Sequence, residues 1–304
     1  MKKLQKSFIL MFTLIIAASL IFTACNSQNS KDNGSGTTAS DNIGTDSATS
    51  TGTGANTGTK SSLKGNILIA GSTSVEPIAR ELAEAFMDKN PDVQIDIQGG
   101  GSTAGVQAAI EKTADIGNSS RNLKEEEKSA DLTQTTIALD GVAVVINPAN
   151  TVTDLKKEDI VKIYKKEITN WKELGGTDKE IVVISREAGS GTKDCFDSAL
   201  GLKEEEVKAD IIANGTGVVQ ANVSSNEAAI GYMSLGSVDE TVKKVTVDGV
   251  EANAENVKNG TYSISRPFLM LTNGQMKDVV KAFIDFILSD EGQDIVSKEF
   301  ISVK

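Results

Sequence analysis

The sequence has no histidine, only two cysteines and few aromatic residues among its 304 positions. Without histidine, Ser-His-Asp and Cys-His nucleophilic mechanisms and histidine-ligated zinc are excluded. Two cysteines are too few for a cysteine-rich metal site or a disulfide framework. The formal net charge of −11 argues against nucleic-acid binding, which needs clustered lysine and arginine. These absences favour an acidic protein that does not rely on side-chain covalent chemistry, and we expect neither a metal nor a cofactor.

Residues 1–24 have the layout of a secretory signal peptide. Three lysines precede an apolar run over residues 8–22, and small residues follow the run. The run is somewhat shorter than the ~20 residues of a membrane span. Cys25 follows the small residues directly, which resembles the lipidated cysteine of the bacterial lipobox, although Phe22 stands where that box usually has leucine. The alternative is an uncleaved N-terminal anchor. Under both interpretations the rest of the chain lies outside the cytoplasmic membrane.

A polar segment follows the signal peptide. Serine, threonine, glycine and asparagine fill 27 of the 37 positions from 26 to 62, and Ile43 is the one large aliphatic residue there. Such a segment cannot bury enough apolar surface to offset the entropy lost on ordering. We therefore expect residues 25–62 to form a disordered tether and the folded part to begin at residue 63.

From residue 63 onward, short apolar runs alternate with helical patterns. Residues 66–70 predict a buried strand, and the helix that follows places Ile78, Leu82, Ala85 and Phe86 on one face. Further strands are predicted at 93–97, 115–119, 141–146, 181–185, 229–233, 244–247 and 268–271. Further helices are predicted up to residue 110 and at 159–165, 192–200, 221–226 and 276–288. This alternation predicts an α/β fold with mainly parallel sheets.

Four clusters of small and hydroxyl-bearing residues follow predicted strands. They are Gly71–Ser74, Gly99–Gly105, Gly117–Arg121 and Ser185–Thr192. Each cluster places hydroxyls and backbone N–H groups beside a predicted helix N-terminus, where the helix dipole favours negative charge. In open α/β sheets, ligands bind beyond the carboxyl ends of the strands. The clusters therefore predict a site for a small, heavily oxygenated anion.

A single Gly-Ser turn before a helix is more often a plain cap than a binding site. Four such turns in one folded region favour a site, and the arginines strengthen this interpretation. The chain has only four arginines, and two of them, Arg121 and Arg186, lie inside the clusters. Their planar fork matches the geometry of phosphate or carboxylate. For Arg186 a ligand role is favoured, whereas for Arg121 a surface role and a ligand role stay equally open.

Two enzyme motifs are incomplete. Residues 190–193 match the S-x-x-K of serine β-lactamases, but the S-D-N and K-T-G partners are missing downstream. The same residues lack the spacing of a nucleotide P-loop. Cys195 lies in a helical pattern beside apolar residues, so we interpret it as a small buried hydrophobe rather than a reactive thiol.

Six motifs together resemble one known family. In chain order they are IAGSTSVEPIA, GGGSTAG, DIGNSSRNL, DGVAVVINP, ITNWKELGG and SREAGSGT. The chain resembles, over about residues 64–304, the phosphate-binding lipoprotein of bacterial phosphate-specific ABC transporters. The resemblance implies a two-lobed α/β fold of the periplasmic-binding-protein-like type II class, with the ligand cleft between the lobes. Lobe 1 would comprise residues 63–142 plus 265–304 and lobe 2 residues 143–264, with hinge crossings near 141–147 and 263–268.

The resemblance also implies ligand groups. The phosphate-binding candidates are Thr73, Ser74, Ser102 and Ser120 in lobe 1, and Arg186, Ser190, Gly191 and Thr192 in lobe 2. Among these, Arg186 is expected to supply the only strong positive charge. Where some members carry an aspartate two residues after this arginine, the chain has Ala188, so Arg186 would pair with Glu187 or with another carboxylate.

Some family members carry an aspartate in the third cluster, where this chain has Ser120 followed by Arg121. That carboxylate accepts the proton of bound hydrogen phosphate and helps to reject sulfate, so its loss puts this selectivity in doubt. We hypothesise that Asp140, which stands where such members have glycine, takes over the acceptor role. The equally open alternative is that Asp140 caps a turn.

The resemblance implies a function without catalysis. The protein would capture inorganic phosphate and deliver it to the permease subunits of an ABC importer, while lipid-anchored on the extracytoplasmic face of the cell membrane. A receptor for sulfate or molybdate is the first alternative. A surface adhesin or an alkaline-phosphatase-like enzyme is the second, although no candidate metal cluster for a phosphatase is visible.

Overall fold

The computed structural model describes residues 63–304. The signal peptide at 1–24, the lipidation site Cys25 and the tether at 25–62 lie outside these residues, so they stay predictions. The described strands are β1 Gly65–Gly71, β2 Val93–Gly99, β3 Ile116–Ser119, β4 Leu132–Ile146, β5 Asp154–Leu155, β6 Val182–Arg186, β7 Ile211–Ala213, β8 Ala229–Ser234, β9 Lys243–Lys244, β10 Thr246–Val247 and β11 Ser265–Asn273. The described α-helices are α1 Glu76–Lys89, α2 Ser102–Ile110, α3 Lys157–Tyr164, α4 Gly191–Leu200, α5 Thr216–Ser225, α6 Ala254–Lys258, α7 Asp278–Ile287 and α8 Asp290–Val296.

The main sheet has the strand order β2-β1-β3-β11-β4-β8-β6-β7, with β9 paired to β4. At each end of the sheet the strands pair in parallel, as predicted, because helices connect them there. The centre is antiparallel, so the prediction of mainly parallel sheets is wrong there. The chain runs along β4 in one direction and returns along β11 in the other, and the two strands therefore pair antiparallel.

Strand β4 belongs to both halves of the sheet. Its residues 132–141 pair with β11, and its residues 142–146 pair with β8. The first half of β4 was missed in the sequence, because exposed polar residues interrupt its apolar pattern. The return of the chain along β11 brings Ser265 opposite Gly141. The two crossings between the halves therefore lie side by side.

The two halves have separate hydrophobic cores. One core packs α1, α7 and α8 against β1, β2 and parts of β4 and β11, and it reaches Ala138 and Phe268. The other contains apolar residues from Val142 to Ile264, together with Ile301 from the C-terminal segment. We keep the predicted names lobe 1 (63–142 plus 265–304) and lobe 2 (143–264) for the halves. These exact bounds stay a prediction, which the separate cores support.

The apolar periodicity of α1 predicted most of its buried face. In α1, Ile78, Leu82 and Phe86 are buried, whereas Ala85 is only half-buried. Helix α5 begins at Thr216 rather than at the predicted residue 221, since the glycines around its start look like breakers in the sequence. Helix α8 was not predicted. Within residues 63–304, no helix is long and apolar enough to span a membrane.

Candidate anion-binding site

The first cluster connects β1 to α1 through a glycine that no other residue could replace. Gly71 has a φ of 138°, and a Cβ there would lie 2.2 Å from the carbonyl oxygen of Asn118. The close approach of β1 to β3 lets the Ser72 N–H donate to that same oxygen at 3.2 Å. Ser72 and Ser74 are buried behind this turn. The loop thus presents its hydroxyls at the carboxyl end of β1.

The second and third clusters meet the first through a network of buried serines. The Ser120 N–H donates to Ser102 Oγ at 3.0 Å, and the hydroxyl oxygens of Ser102 and Ser120 lie 3.2 Å apart. Ser72 Oγ donates to Ser120 Oγ at 2.9 Å. Three loops of lobe 1 therefore place three hydroxyls at one point.

The fourth cluster lies in lobe 2, between β6 and α4. Ser190 is the N-cap of α4, and its hydroxyl accepts from the Lys193 N–H at 3.3 Å. Arg186 ends β6 and is 2% exposed. Its Nε and Nη2 donate to the two carboxylate oxygens of Glu187 at 2.7 and 2.8 Å. Of the two pairings left open by the sequence, the structure thus shows the one with Glu187.

The pairing affects the ionisation of Glu187. Burial acts to raise the pKa of this carboxyl, but the hydrogen bonds and the charge of Arg186 together hold it below its ordinary value. The carboxylate form is therefore favoured, and it orients the guanidinium so that Nη1 points away from Glu187.

Hydroxyls of the two lobes touch at the end of Arg186. Ser74 Oγ lies 2.8 Å from Thr192 Oγ1 and 3.0 Å from Thr216 Oγ1. Arg186 Nη1 donates to both threonine hydroxyls at 3.4 Å, and Nη2 donates to Thr73 Oγ1 at 3.1 Å. One guanidinium and a ring of hydroxyls, all but Thr73 buried, therefore form a set of donors suited to an oxyanion.

The backbone of lobe 2 also comes close to the serines of lobe 1. A Cβ on Gly191 would lie 2.3 Å from Ser102 Oγ and 2.7 Å from Ser120 Oγ. The Thr103 N–H donates to the Gly189 carbonyl at 3.1 Å across the same contact. The structure thus brings the sequence-predicted candidates of both lobes together, with Asp140 set apart from them.

Thr216 was missed in the sequence. It is 6% exposed at the start of α5, and its N–H donates to Thr73 Oγ1 at 3.3 Å. The signal that could have found it is the run Asn214-Gly215-Thr216-Gly217 after β7, which has the same composition as the four clusters. The short strand before it carries no clear pattern, so the run was not recognised.

Arg266 was also missed, and it corrects the expected charge of the site. It is 5% exposed in β11, and its Nη1 donates to Ser120 Oγ at 3.2 Å. The expectation that Arg186 supplies the only strong positive charge is therefore wrong, because a second buried guanidinium contacts the serine network. A charged residue within an otherwise apolar strand at a lobe crossing was the available signal.

Asp140 lies in β4 directly opposite Arg266, and hydrogen bonding from Ser234 and from the Gly236 N–H at the turn after β8 acts to lower its pKa, so the alternative of a turn cap stays open. Its Oδ2 accepts from Arg266 Nε at 3.1 Å and from Nη2 at 2.9 Å. Complete burial raises the pKa of Asp140 above its ordinary value, although the charge of Arg266 acts to lower it. No hydroxyl of the four clusters contacts Asp140 among the described residues, so its direct contact with phosphate stays a prediction.

Arg121 is neither a surface residue nor a member of the hydroxyl ring. It is 5% exposed, and its guanidinium donates to Glu127 at 2.7 and 2.8 Å. Its Nε also lies 2.8 Å from Asp194 Oδ2, which belongs to lobe 2. The surface role considered for Arg121 is thus wrong, whereas the ligand role stays a prediction, and the structure adds an ion pair between the lobes.

Cys195 lies in α4 beside this ion pair. Burial raises the pKa of its thiol to about 11, so the neutral thiol dominates at physiological pH. This supports the interpretation as an unreactive residue. Among residues 63–304, no group of three or more cysteine, aspartate or glutamate side chains is placed to hold a metal ion.

The chain is similar in sequence and in structure to bacterial phosphate-binding proteins. The PBP superfamily domain matches residues 37–291. The phosphate-binding protein PstS of Bacillus subtilis (strain 168) is 33% identical over 232 residues, which cover 75% of this chain and 77% of that protein. The chain belongs to the family of PstS phosphate-binding proteins. The family member from Borreliella burgdorferi is 30% identical over 251 residues, which cover 78% of this chain and 90% of that protein.

Solved structures of similar proteins show the same fold. A phosphate ABC transporter substrate-binding protein from Clostridium perfringens, solved with bound phosphate, is 50% identical to this chain, with a TM-score of 0.78. The match covers 79% of this chain and 100% of that protein's chain. An ABC-type phosphate transport receptor from Vibrio cholerae is 39% identical to this chain, with a TM-score of 0.64, and the match covers 77% of this chain and 99% of the receptor's chain. The family resemblance and the two-lobed α/β fold class predicted from the sequence are therefore confirmed.

Proposed function

We propose that this chain captures inorganic phosphate between its two lobes, outside the cytoplasmic membrane, and delivers it to an ABC importer. The observation that carries the proposal is the contact of Ser74 from lobe 1 with Thr192 and Thr216 from lobe 2, whose hydroxyls both accept from Arg186. The names of the relatives from Bacillus subtilis and Clostridium perfringens, the latter with bound phosphate, support the same ligand.

The proposed site holds its anion mainly through neutral donors. Arg186 is balanced by Glu187 and Arg266 by Asp140, so the buried side chains at the site carry little net charge. Hydroxyls and backbone N–H groups then replace the hydration shell of the anion at contact distance, where solvent screening is weak. This explains how a chain with a net charge of −11 can bind an anion.

The residues proposed to bind phosphate keep the sequence-based set, in which Asp140 stays tentative, and extend it. They are Thr73, Ser74, Ser102, Ser120, Arg186, Ser190, Gly191 and Thr192, with Thr216 added from the structure. Because the hydroxyl of Ser190 caps α4, its contribution is to hold the helix N-terminus, whose N–H groups favour an anion. The two crossings between the lobes are the proposed hinges for entry and release.

The remaining parts of the proposal rest on the sequence alone. Lipidation of Cys25 would anchor the protein to the cell membrane, and residues 25–62 would let the lobes reach the permease subunits of the importer. Binding and release would involve no covalent chemistry, so we propose no enzymatic activity. Turnover of a phosphomonoester by the purified chain would overturn that last statement.

Calorimetry with phosphate, arsenate and sulfate at two pH values tests the ligand. The purified chain is first freed of carried-over anion by unfolding, dialysis and refolding. We expect phosphate and arsenate to bind with similar affinity, because both are tetrahedral oxyanions that keep a proton near neutral pH. If neither phosphate nor arsenate binds, the proposal is refuted.

A receptor for a fully deprotonated oxyanion such as sulfate is the second candidate. The observation that favours it is Ser120, which fills the position where some family members carry a proton-accepting aspartate. Sulfate binding as tight as phosphate binding in the same titrations would select this candidate.

A further inference from the structure

Two hydrogen bonds are donated to Ser120 Oγ. Arg266 Nη1, at 3.2 Å from Ser120 Oγ, can only donate. Ser72 Oγ accepts from the Ser74 N–H at 3.2 Å and donates its own hydrogen to Ser120 Oγ at 2.9 Å. A hydroxyl oxygen has two lone pairs. Because both lone pairs of Ser120 Oγ are occupied, its own hydrogen has to be donated to another group.

That hydrogen has two destinations. One is Ser102 Oγ at 3.2 Å, which already accepts the N–H of Ser120 at 3.0 Å. The other is the side that faces the lobe 2 loop, where a Cβ on Gly191 would lie 2.7 Å from Ser120 Oγ. The proposed anion site lies on this side. With both lone pairs occupied, the Ser120 hydroxyl can offer only its hydrogen, either to Ser102 or to a bound oxyanion.

Arg266 is held in the orientation that this arrangement needs. Asp140 Oδ2 accepts both Nε and Nη2, since the two residues face each other across the β4–β11 pairing. The Phe268 ring lies 5.4 Å from the guanidinium carbon on the same strand. Both charged groups are almost fully buried. With Nε and Nη2 engaged by Asp140, Nη1 is directed at Ser120.

We propose that Arg266 is a positioning residue of the anion site: held by Asp140, it makes the Ser120 hydroxyl a hydrogen-bond donor toward the bound oxyanion. The inference rests on the proposed phosphate site between the lobes. It gives the buried ion pair a role in ligand recognition besides its role in packing two strands. It also predicts that Ser120 does not accept the proton of a protonated oxyanion, so this position does not reject sulfate.

A double-mutant cycle on phosphate binding tests the coupling. Ser120→Ala is made in the wild type and in Asp140→Asn/Arg266→Met, which removes both charges of the pair and leaves neither one buried alone. In the wild type we expect Ser120→Ala to lower phosphate affinity about tenfold, as for a hydrogen bond to a charged group. In the pair-free background we expect the same change to cost less than about threefold, because Ser120 is no longer forced to donate.

The affinity ratio of phosphate to sulfate is the second readout. We expect it to rise in Asp140→Asn/Arg266→Met, because a freely rotating Ser120 hydroxyl can accept the proton of hydrogen phosphate but gains nothing from sulfate. Arg80→Met is the matched control, since it removes an arginine paired with Glu76 on an exposed face of α1. We expect the control to leave both the ratio and the cost of Ser120→Ala unchanged.

Two different results of these binding measurements distinguish failure of this inference from failure of the proposed function. Normal phosphate binding by the wild type, with an equal cost of Ser120→Ala in both backgrounds, would refute the role of Arg266 and leave the phosphate site intact. Failure of the wild type to bind phosphate would refute the proposed function and this inference with it. If the pair-free variant does not fold, Arg266→Lys replaces it, since lysine keeps the charge but cannot fork between Asp140 and Ser120. If Ser120→Ala costs as much phosphate affinity in the Arg266→Lys background as in the wild type, the inference is also contradicted.

Discussion

Arg121 in lobe 1 and Asp194 in lobe 2 form an ion pair across the contact between the lobes, with 2.8 Å between Nε and Oδ2. Glu127 holds the same guanidinium from within lobe 1. Three of the four arginines of the chain, Arg121, Arg186 and Arg266, are thus buried at or near this contact, and each is paired with a carboxylate. Each of these three arginine charges is therefore neutralised by carboxylates, and hydroxyls supply most of the donors.

Asp194→Asn is expected to speed phosphate release. Loss of an ion pair whose side chains are 6% and 30% exposed, at the contact between the lobes, should raise the dissociation rate about two- to tenfold and change the fold little. Stopped-flow measurement of phosphate release checks this. The control is Asp197→Asn on the same helix, because Asp197 pairs with Lys193 inside lobe 2. Equal release rates for the two variants would show that the ion pair does not hold the lobes together.

Gly191→Ala is expected to weaken phosphate binding at least about tenfold without unfolding either lobe. The added methyl group would meet Ser102 and Ser120 of the opposite lobe, so its cost falls on the contact between the lobes. Gly217→Ala in α5 is the matched control, since a Cβ there has no atom within 4 Å. Calorimetry and thermal melting of both variants distinguish lost binding from lost stability. Wild-type affinity for Gly191→Ala would mean that the loops do not meet in the bound state.

Arg186→Ala is expected to weaken phosphate binding by about 1.5–3 kcal/mol or more, as for the loss of a charged hydrogen-bonding partner. Arg186→Lys should recover only part of this loss, because lysine cannot contact Glu187 and the threonine hydroxyls together. Calorimetric titration with phosphate measures both variants. Affinity near the wild-type value for Arg186→Ala would remove this residue from the proposed site.

Glu187 predicts how stability depends on pH. Because its pKa is lower in the folded chain than in the unfolded chain, the carboxylate stabilises the fold above its ordinary pKa, and this contribution is lost as the pH falls through the folded value. Glu187→Gln should therefore flatten the acid limb of the free energy of unfolding. Denaturant unfolding of both proteins between neutral and acidic pH checks this. Identical slopes for the two proteins on the acid limb would contradict the prediction.

Local patterns predicted most elements and the chemistry of the site. Strand β1, helix α1 and the hydroxyl-rich loop between them follow from an apolar run, a periodic face and small turn residues that lie next to one another in the chain. The later half of β4 was predicted in the same way, whereas its polar first half was not. Such signals are short-range, so they mark a strand or a loop but not its neighbours in space.

The sequence by itself determined that hydroxyls and glycines lie on turns after strands, with Arg186 beside one of these turns, because those residue types define the turns and the donors. Only the tertiary structure decided that Arg266 pairs with Asp140, that Arg121 pairs with Asp194 and that Thr216 joins Thr73. Asp140 and Arg266 are 126 residues apart and meet through one antiparallel register, while the other two pairs meet where the lobes touch. Such contacts depend on strand order and on the packing of one lobe against the other, which no local pattern of residues contains.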